Sequence, residues 1–432
     1  MILLSQEEFV PHETPHSQLW IKGWINITVD ALQAALEAAQ FPYHLRGNFA
    51  MIWTDGQGNT CMAVDHYATI PLFYTEQHVG QYFHDVKHTV RDRTRDALTC
   101  DMIKLFAGMS VGPGTTYNEI KRIEPGHYLW NGEARCYNDI LQLPMQGFDP
   151  AGIRDSLVGI CREDHGPTAL LLSGGKDSTT LCGIIRYENI PCSYISIHSP
   201  NQIFKEQHIV DRICAHHGID RTDVEIANSG MILDDDSNDR FFDFWIDNPF
   251  TAKHAAVDRA GLSDHTIMTG EGGCGTYGVR SMLAYAAQRP NITARMLCEY
   301  MVLDMASYNK CHARDLNLIP DNLRRAFDYL VDHYERKWHG SNLSDTHKIV
   351  HLNTQDMSTY RAYPYSQDRH IRWWHPYLDW RWVDATVPCD PQHKINGKYE
   401  KYLYLSCFSE MITSIPWEYP KNGLSIPALS KY

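Results

Sequence analysis

Apolar residues gather along this chain into short runs broken by turn formers, and the rhythm of those runs changes near residue 140. Before that point they read as strands over residues 21–27, 49–53, 60–64, 72–75 and 81–85, separated by turn residues such as Asp55, Gly56 and Gly58. Their alternation of apolar and polar positions is imperfect, which predicts packed sheets with some faces covered on both sides. One alanine-rich helix, capped by Asp30 and running to about residue 39, interrupts them. After a linker rich in Pro, Gln and Gly over residues 141–150, strands and helices alternate. Asp149 followed by Pro150 predicts a capped helix to about residue 162. Strands follow over 168–172, 192–197, 222–226 and 265–269, with helices over 178–187, 204–216 and 250–260. Such alternation predicts an α/β fold with a doubly wound, mostly parallel sheet. Residues 280–345 read as helices flanking that sheet, over 280–288, 291–305 and 321–333. The chain thus divides into a strand-rich domain over 1–140 and a larger α/β domain over 150–432.

Composition narrows the classes of function. The 432 residues carry a formal charge of −13, which disfavours a nonspecific nucleic-acid binder but leaves room for a small anion held by local amides. No uncharged apolar run reaches membrane-spanning length, and no basic-then-apolar leader opens the sequence, so a soluble, cytoplasmic protein is expected. The 12 cysteines are scattered without a Cys-x-x-Cys pair, which argues against a zinc ribbon or a disulfide framework. Most read as small buried hydrophobes.

Candidate chemistry concentrates where strands 168–172 and 265–269 end. The first runs into Ser173-Gly174-Gly175-Lys176-Asp177-Ser178 directly before a helix. Two glycines let backbone amides approach a ligand, the serines add hydroxyls, and the helix start adds the positive end of its dipole. This is a phosphate-binding corner distinct from the G-x-x-x-x-G-K-S/T loop, because Lys176 lies inside the turn and an acid follows it. An acid beside a polyphosphate suits a bridging cation. The plainer alternative is a tight strand-to-helix turn with Asp and Ser as caps. The second strand ends in Thr269-Gly270-Glu271-Gly272-Gly273-Cys274-Gly275.

These motifs together resemble the asparagine synthetase-like family of ATP-pyrophosphatases, which cleave ATP between its α and β phosphates. The Ser173–Ser178 motif resembles the family signature. Thr269 to Gly272 resembles its second loop, in which an Asp and a Glu fall where this chain has Cys274 and Gly275. Arg372 and then His375-Pro376-Tyr377-Leu378-Asp379 resemble Arg-x-Pro-Phe-Leu-Asp. Gly397-Lys398-Tyr399-Glu400-Lys401-Tyr402-Leu403 resembles the segment ending in Glu-Lys and an apolar pair. Upstream, Leu45-Arg46-Gly47-Asn48-Phe49-Ala50, Asp65 to Tyr74 and Thr116 to Tyr128 resemble the glutamine-hydrolysing domain. That domain uses a first-residue cysteine as nucleophile, whereas Met1-Ile2-Leu3 opens this sequence and its first cysteine is Cys61.

The resemblance implies ATP and Mg²⁺ as cofactors and amide-bond formation through an acyl-adenylate, releasing AMP and pyrophosphate, without glutamine hydrolysis. It implies that Ser173, Gly174, Gly175 and Ser178 cradle pyrophosphate, Asp177 binds the metal, and Leu171 and Ile197, with Ser196 and His198, border adenosine. Gly270 and Gly272 also belong to the cofactor-binding set, Glu271 and Gly272 line the acyl side, and Lys401, with Lys398 second, stabilises developing charge. The partners implied are small-molecule or peptide carboxylates and amines, with nucleic acid and membranes disfavoured and a homodimer as the default assembly. The absence of an acid at Cys274 keeps open a catalytically silent nucleotide-binding scaffold. Another ATP-pyrophosphatase reaction, such as nucleoside modification, also stays open. Trp373, Trp374, Trp380 and Trp382 read as core residues in preference to a base-stacking platform.

Overall fold

A computed structural model of the chain describes residues 2–4, 8–105, 110–139, 143, 146–198, 207–226, 248–273, 291–299, 321–339, 355, 362–390, 393–394 and 402–412. These form two compact units. One contains the described residues up to 143 together with those of 291–367, and the other contains those of 146–273 and 368–412.

The first unit begins with β1 (Ile2–Leu3), β2 (Val10–Glu13), β3 (Ser17–Ile25), α1 (Val29–Glu37), β4 (Gly47–Asp55), β5 (Thr60–Val64), β6 (Phe73–Tyr74) and β7 (His78–Gly80). It continues with α2 (Phe83–Thr89), α3 (Ala97–Leu105), β8 (Lys121–Arg122), β9 (His127–Trp130) and β10 (Glu133–Cys136). A six-stranded antiparallel sheet runs β10-β9-β5-β4-β3-β2, and a smaller sheet runs β1-β7-β6-β8. The imperfect alternation has its expected cause: β4 is covered on both faces. Phe49, Met51 and Trp53 pack with Leu32 and Leu36 of α1, while Ala50 and Ile52 pack with Phe73 and Val79 of the smaller sheet. Beside them, the buried Asp65 accepts from the amides of Phe49 (3.1 Å) and Tyr67 (2.9 Å) and from the Thr69 hydroxyl (2.5 Å). Burial pushes its carboxyl up to about 6 while those donors pull the other way.

Two expectations for this unit are corrected. Residues 81–85 do not form a strand, because Gln81 and Tyr82 lead into α2, whose Phe83 and Val86 lie three positions apart on one buried helical face. The N-cap of α1 is Thr28, whose Oγ1 accepts from Ala31 N at 3.3 Å, and Asp30 stands in the first turn.

The second unit opens with α4 (Pro150–Cys161), capped by Asp149 through a bond from Gly152 N (3.0 Å). Then come β11 (Thr168–Leu171), α5 (Lys176–Tyr187), β12 (Ser193–His198), α6 (Gln207–His217), β13 (Thr222–Glu225), α7 (Asn248–Ala260) and β14 (Thr266–Met268). The chain next supplies α8 (Asp321–His339), followed by β15 (Arg372–Trp374), a 3-10 turn over Pro376–Leu378, α9 (Trp380–Thr386) and α10 (Tyr402–Phe408). α8, expected beside the parallel sheet, belongs to the first unit. It packs there on α3, its apolar face (Ala326, Phe327, Leu330, Val331, Tyr334) being buried. An amphipathic pattern specifies that a face is covered, not by what.

The doubly wound reading holds. The sheet runs β13-β12-β11-β14-β15 with every neighbouring pair parallel. Alternate residues of β11 face opposite layers, Leu170 and Leu172 toward α4 and α5, Ala169 and Leu171 toward α7. Trp382 is fully buried in the first of those layers, as expected for core, and Trp373 and Trp374 pack at the sheet edge. The described cysteines are free thiols, most of them buried. Among the described residues no helix is long and apolar enough to cross a membrane.

Candidate functional site

Parallel strands deliver their carboxyl ends to one edge, where their amides and loops are unshared. β11 leaves the sheet after Leu172, whose N still donates to Ile195 O at 2.8 Å, and the corner begins at the exposed Ser173. α5 starts at Lys176, two residues earlier than the pattern predicts. Its N-cap is Gly175 (φ −73°, ψ 146°), and no side chain caps it. Ser178 instead folds back, its Oγ lying 3.1 Å from Ser173 N, 2.9 Å from Ser173 Oγ and 3.2 Å from Gly175 O. Ser173 Oγ in turn accepts from Gly175 N (3.2 Å). The two serines therefore brace the turn, and the amide end of a helix buried along its length is presented without a capping side chain.

Asp177 is not the cap that the plainer reading makes it. It is 6% exposed, its Oδ1 accepts from Tyr404 OH at 2.7 Å, and its carbonyl accepts from Tyr377 OH at 2.8 Å. Burial and the neighbouring Asp177 charge push the Tyr377 phenol well above its ordinary range, so it remains a donor. The loop after β14 presses on the same acid: a Cβ at Gly273 would lie 2.4 Å from Asp177 Oδ1, and one at Gly270 would lie 2.9 Å from Ser178 N.

That loop is tied to β15. Thr269 N donates to Trp374 O (3.0 Å), and Thr269 Oγ1 accepts from Glu271 N (3.2 Å) and pairs with His375 Nδ1 (2.7 Å). Burial brings the His375 imidazole down to about 4, so the ring is neutral at pH 7. Glu271 forms an ion pair with Lys253 of α7. Gly272 takes a positive φ of 84° and abuts Leu378, where a Cβ would meet Cδ2 at 2.4 Å.

The expected residues Ser173, Gly174, Gly175, Asp177, Ser178, Gly270, Glu271 and Gly272 thus gather around the ends of β11 and β14. Leu171 is buried beneath the corner, and half-buried Ile197 stands one residue before the end of the adjoining β12, beside buried Ser196 and with terminal His198 Nε2 3.5 Å from Glu225 Oε2. Lys398 and Lys401, Cys274 and Gly275 lie outside the described residues. Arg372 belongs to the other end of its strand, donating to Asp264 O at 3.0 Å, and takes no part in the site. Sequence reasoning missed Lys253, Thr269 and His375 as a connected set. It also missed Tyr377 and Tyr404; for Tyr377 the visible signal was a tyrosine in place of the phenylalanine of Pro-Phe-Leu-Asp, and for Tyr404 there was none.

Among the described residues no group of three His, Cys, Asp or Glu side chains could hold a metal ion. Asp177 supplies one hard oxygen donor. That fits a hydrated Mg²⁺ whose other ligands are phosphate oxygens and water, and does not fit a cage made by protein alone.

Residues 155–431 match the family model described as asparagine synthase. No curated protein matches the chain significantly. Among solved structures, the chain is similar to NMN synthetase from Francisella tularensis, with 12% identity over 51% of this chain and 97% of that one and a TM-score of 0.26. It is also similar to the U34-tRNA thiolase NcsA from Methanococcus maripaludis, with 15% identity over 49% of this chain and 76% of that one and a TM-score of 0.23.

Proposed function

Since the chain belongs to the asparagine synthase family, whose chemistry is ATP-dependent adenylation, we propose that it forms an amide bond through an acyl-adenylate. A carboxylate oxygen attacks the α phosphorus of ATP, the bond to the bridging oxygen of the β phosphate breaks, and pyrophosphate leaves. An amine nitrogen then attacks the acyl carbon and gives up a proton to solvent, and AMP departs with the former carboxylate oxygen. The observation that carries this reading is the corner between β11 and α5, where a helix start without a capping side chain stands beside the Gly270–Gly273 loop.

Most of the work is placement and charge. The α5 amides and the Ser173 hydroxyl hold the departing pyrophosphate, and Leu171 and Ile197 border adenosine. Asp177 would hold Mg²⁺, which when bound neutralises polyphosphate charge. Glu271 lines the acyl side, and its pairing with Lys253 spares an incoming carboxylate the repulsion of a bare anion. Lys401 remains the candidate for stabilising the adenylate. Glutamine hydrolysis is left out of the proposal. Burial holds the Cys61 thiol far above its ordinary range, which makes it a poor nucleophile.

ATP–pyrophosphate exchange by the purified full-length chain, across a panel of carboxylic acids with Mg²⁺, tests this reading. Exchange stimulated by one class of acid is expected. ATP binding without exchange or pyrophosphate release across the panel would instead favour a silent scaffold, a reading motivated by Cys274 and Gly275 standing where the pattern has two acids.

A further inference from the structure

Asp177 is fastened at two points by phenols that arrive on separate elements of the second unit. Tyr404, in the first turn of α10, donates to carboxylate Oδ1 (2.7 Å), and Tyr377, in the 3-10 turn after β15, donates to the backbone carbonyl (2.8 Å). Both side chains are fully buried, and their rings lie 5.9 Å apart. Neither hydroxyl can swing away without disturbing the core. Gly273 closes a further side, its backbone so near that a Cβ would overlap the carboxylate. Two contacts on the carboxylate and one on the backbone behind it therefore leave this residue little rotational freedom.

The sequence supplies a reason for such restraint. The second loop has Cys274 at the position where the pattern it resembles carries its other metal-binding acid, and Tyr377 adds a hydroxyl to a ring that the pattern keeps as phenylalanine. A cation seat that lacks the acid the pattern carries at Cys274 depends all the more on the remaining carboxylate being held in place. Hydrogen bonds behind a metal ligand do this work.

We propose that Tyr404 and Tyr377 are positioning residues for the divalent cation that accompanies ATP. They hold Asp177 toward it and so compensate for the acid absent at Cys274. The proposal rests on the reading of the corner as an ATP site. Its test is equilibrium ATP binding to the full chain, followed by tryptophan fluorescence, over a Mg²⁺ titration and in EDTA. In Tyr404→Phe the Mg²⁺ midpoint is expected to rise by about tenfold or more, with ATP affinity in EDTA changed by less than about twofold on the same reasoning. Tyr377→Phe, which frees only the carbonyl, shifts the midpoint less. With Mn²⁺ in place of Mg²⁺, the electron paramagnetic resonance signal of the bound ion weakens in the same order.

An unchanged midpoint in both variants, or an equal loss with and without metal, overturns the proposal. Wild-type binding indifferent to Mg²⁺ overturns it while leaving the ATP reading intact. Absence of ATP binding to the wild type under both conditions removes the ATP reading and the proposal together. Should Tyr404→Phe fail to fold, Tyr377→Phe carries the test, because it restores a ring that the pattern already accepts.

Discussion

Two glycines at the site do different physical work, and alanine at each separates folding from binding. At Gly273 a Cβ would sit 2.4 Å from Asp177 Oδ1 and 2.7 Å from Cγ, so the loop or the acid must move. Gly273→Ala is expected to cost about 1–3 kcal/mol of stability, as overpacking in a core does, and to weaken Mg²⁺-dependent ATP binding as well. At Gly175, among the described residues beyond its chain neighbours and its own helix backbone, a Cβ would meet only Ser173 Oγ, at 3.1 Å, and φ is an ordinary −73°. Gly175→Ala should leave stability within about 0.5 kcal/mol of the wild type yet cut ATP affinity by at least about tenfold, about 1.4 kcal/mol, because the added methyl stands where phosphate approaches the amides. Urea denaturation and ATP titration of the two variants check both statements. A Gly175→Ala protein that binds ATP normally would remove the phosphate from that corner. At this scale the corner was legible because its chemistry is contiguous in the chain. Tyr377 and Tyr404 were not, since their bonds to Asp177 span 200 and 227 positions and leave no local pattern.

Among the elements, the strands that local pattern specifies best are those with β-branched and apolar runs between clear turns. β5 occupies residues 60–64 as read from sequence, and α4 begins at Pro150 behind its Asp149 cap. Misreadings arose where two patterns overlap, as in α2, whose few residues fit either period. The α1 cap is a second case, and it is testable. Thr28→Ala is expected to cost the first unit about 1 kcal/mol, whereas Asp30→Ala removes only a first-turn charge, worth a few tenths. Thermal denaturation of both variants decides between Thr28 and Asp30. A further element-level feature was invisible in the sequence: Lys394 is completely buried, its Nζ donating to Val387 O (3.2 Å) just past α9, with the Cys389 thiol and the Asp390 carboxylate as titratable neighbours. Its carbonyl accepts from Tyr402 N (2.8 Å), where α10 begins. Burial depresses its ammonium from 10.5 to about 8. A lysine whose folded value lies below its unfolded one binds fewer protons when folded, so stability rises with pH between about 8 and 10.5. The shift corresponds to roughly 3 kcal/mol. Lys394→Met should abolish that rise, and stability curves for the wild type and the variant that stay parallel across this window would contradict the assignment.

At the level of the whole molecule, the division between strand-rich and α/β parts was legible near residue 140, and the return of the chain to the first unit was not. α8 shows why: its sequence announces a buried face, and only the three-dimensional arrangement sets that face on α3. The cores follow the same division. Phe49, Trp53 and Phe73 belong to clusters drawn wholly from the first unit, while Leu170, Trp382 and Phe408 belong to one drawn wholly from the second. Chains with separate cores commonly unfold in more than one step, so calorimetry is expected to resolve two transitions. Every described residue of the candidate ATP site lies in the second unit. A ligand that binds only the folded form stabilises the unit that holds it, by about 2.7 kcal/mol at a hundredfold excess over Kd. For a unit of this size that is a rise of about 5–10 °C. ATP with Mg²⁺ should therefore raise one transition by this amount and leave the other within about 1 °C, a bound taken from the same scaling. The shifted transition is identified by Asp177→Asn, which should abolish its response to ATP with Mg²⁺, and by Thr28→Ala, which should lower the other transition alone. If ATP moves the transition that Thr28→Ala lowers, the nucleotide binds in the first unit and the corner at Ser173–Ser178 is not its site.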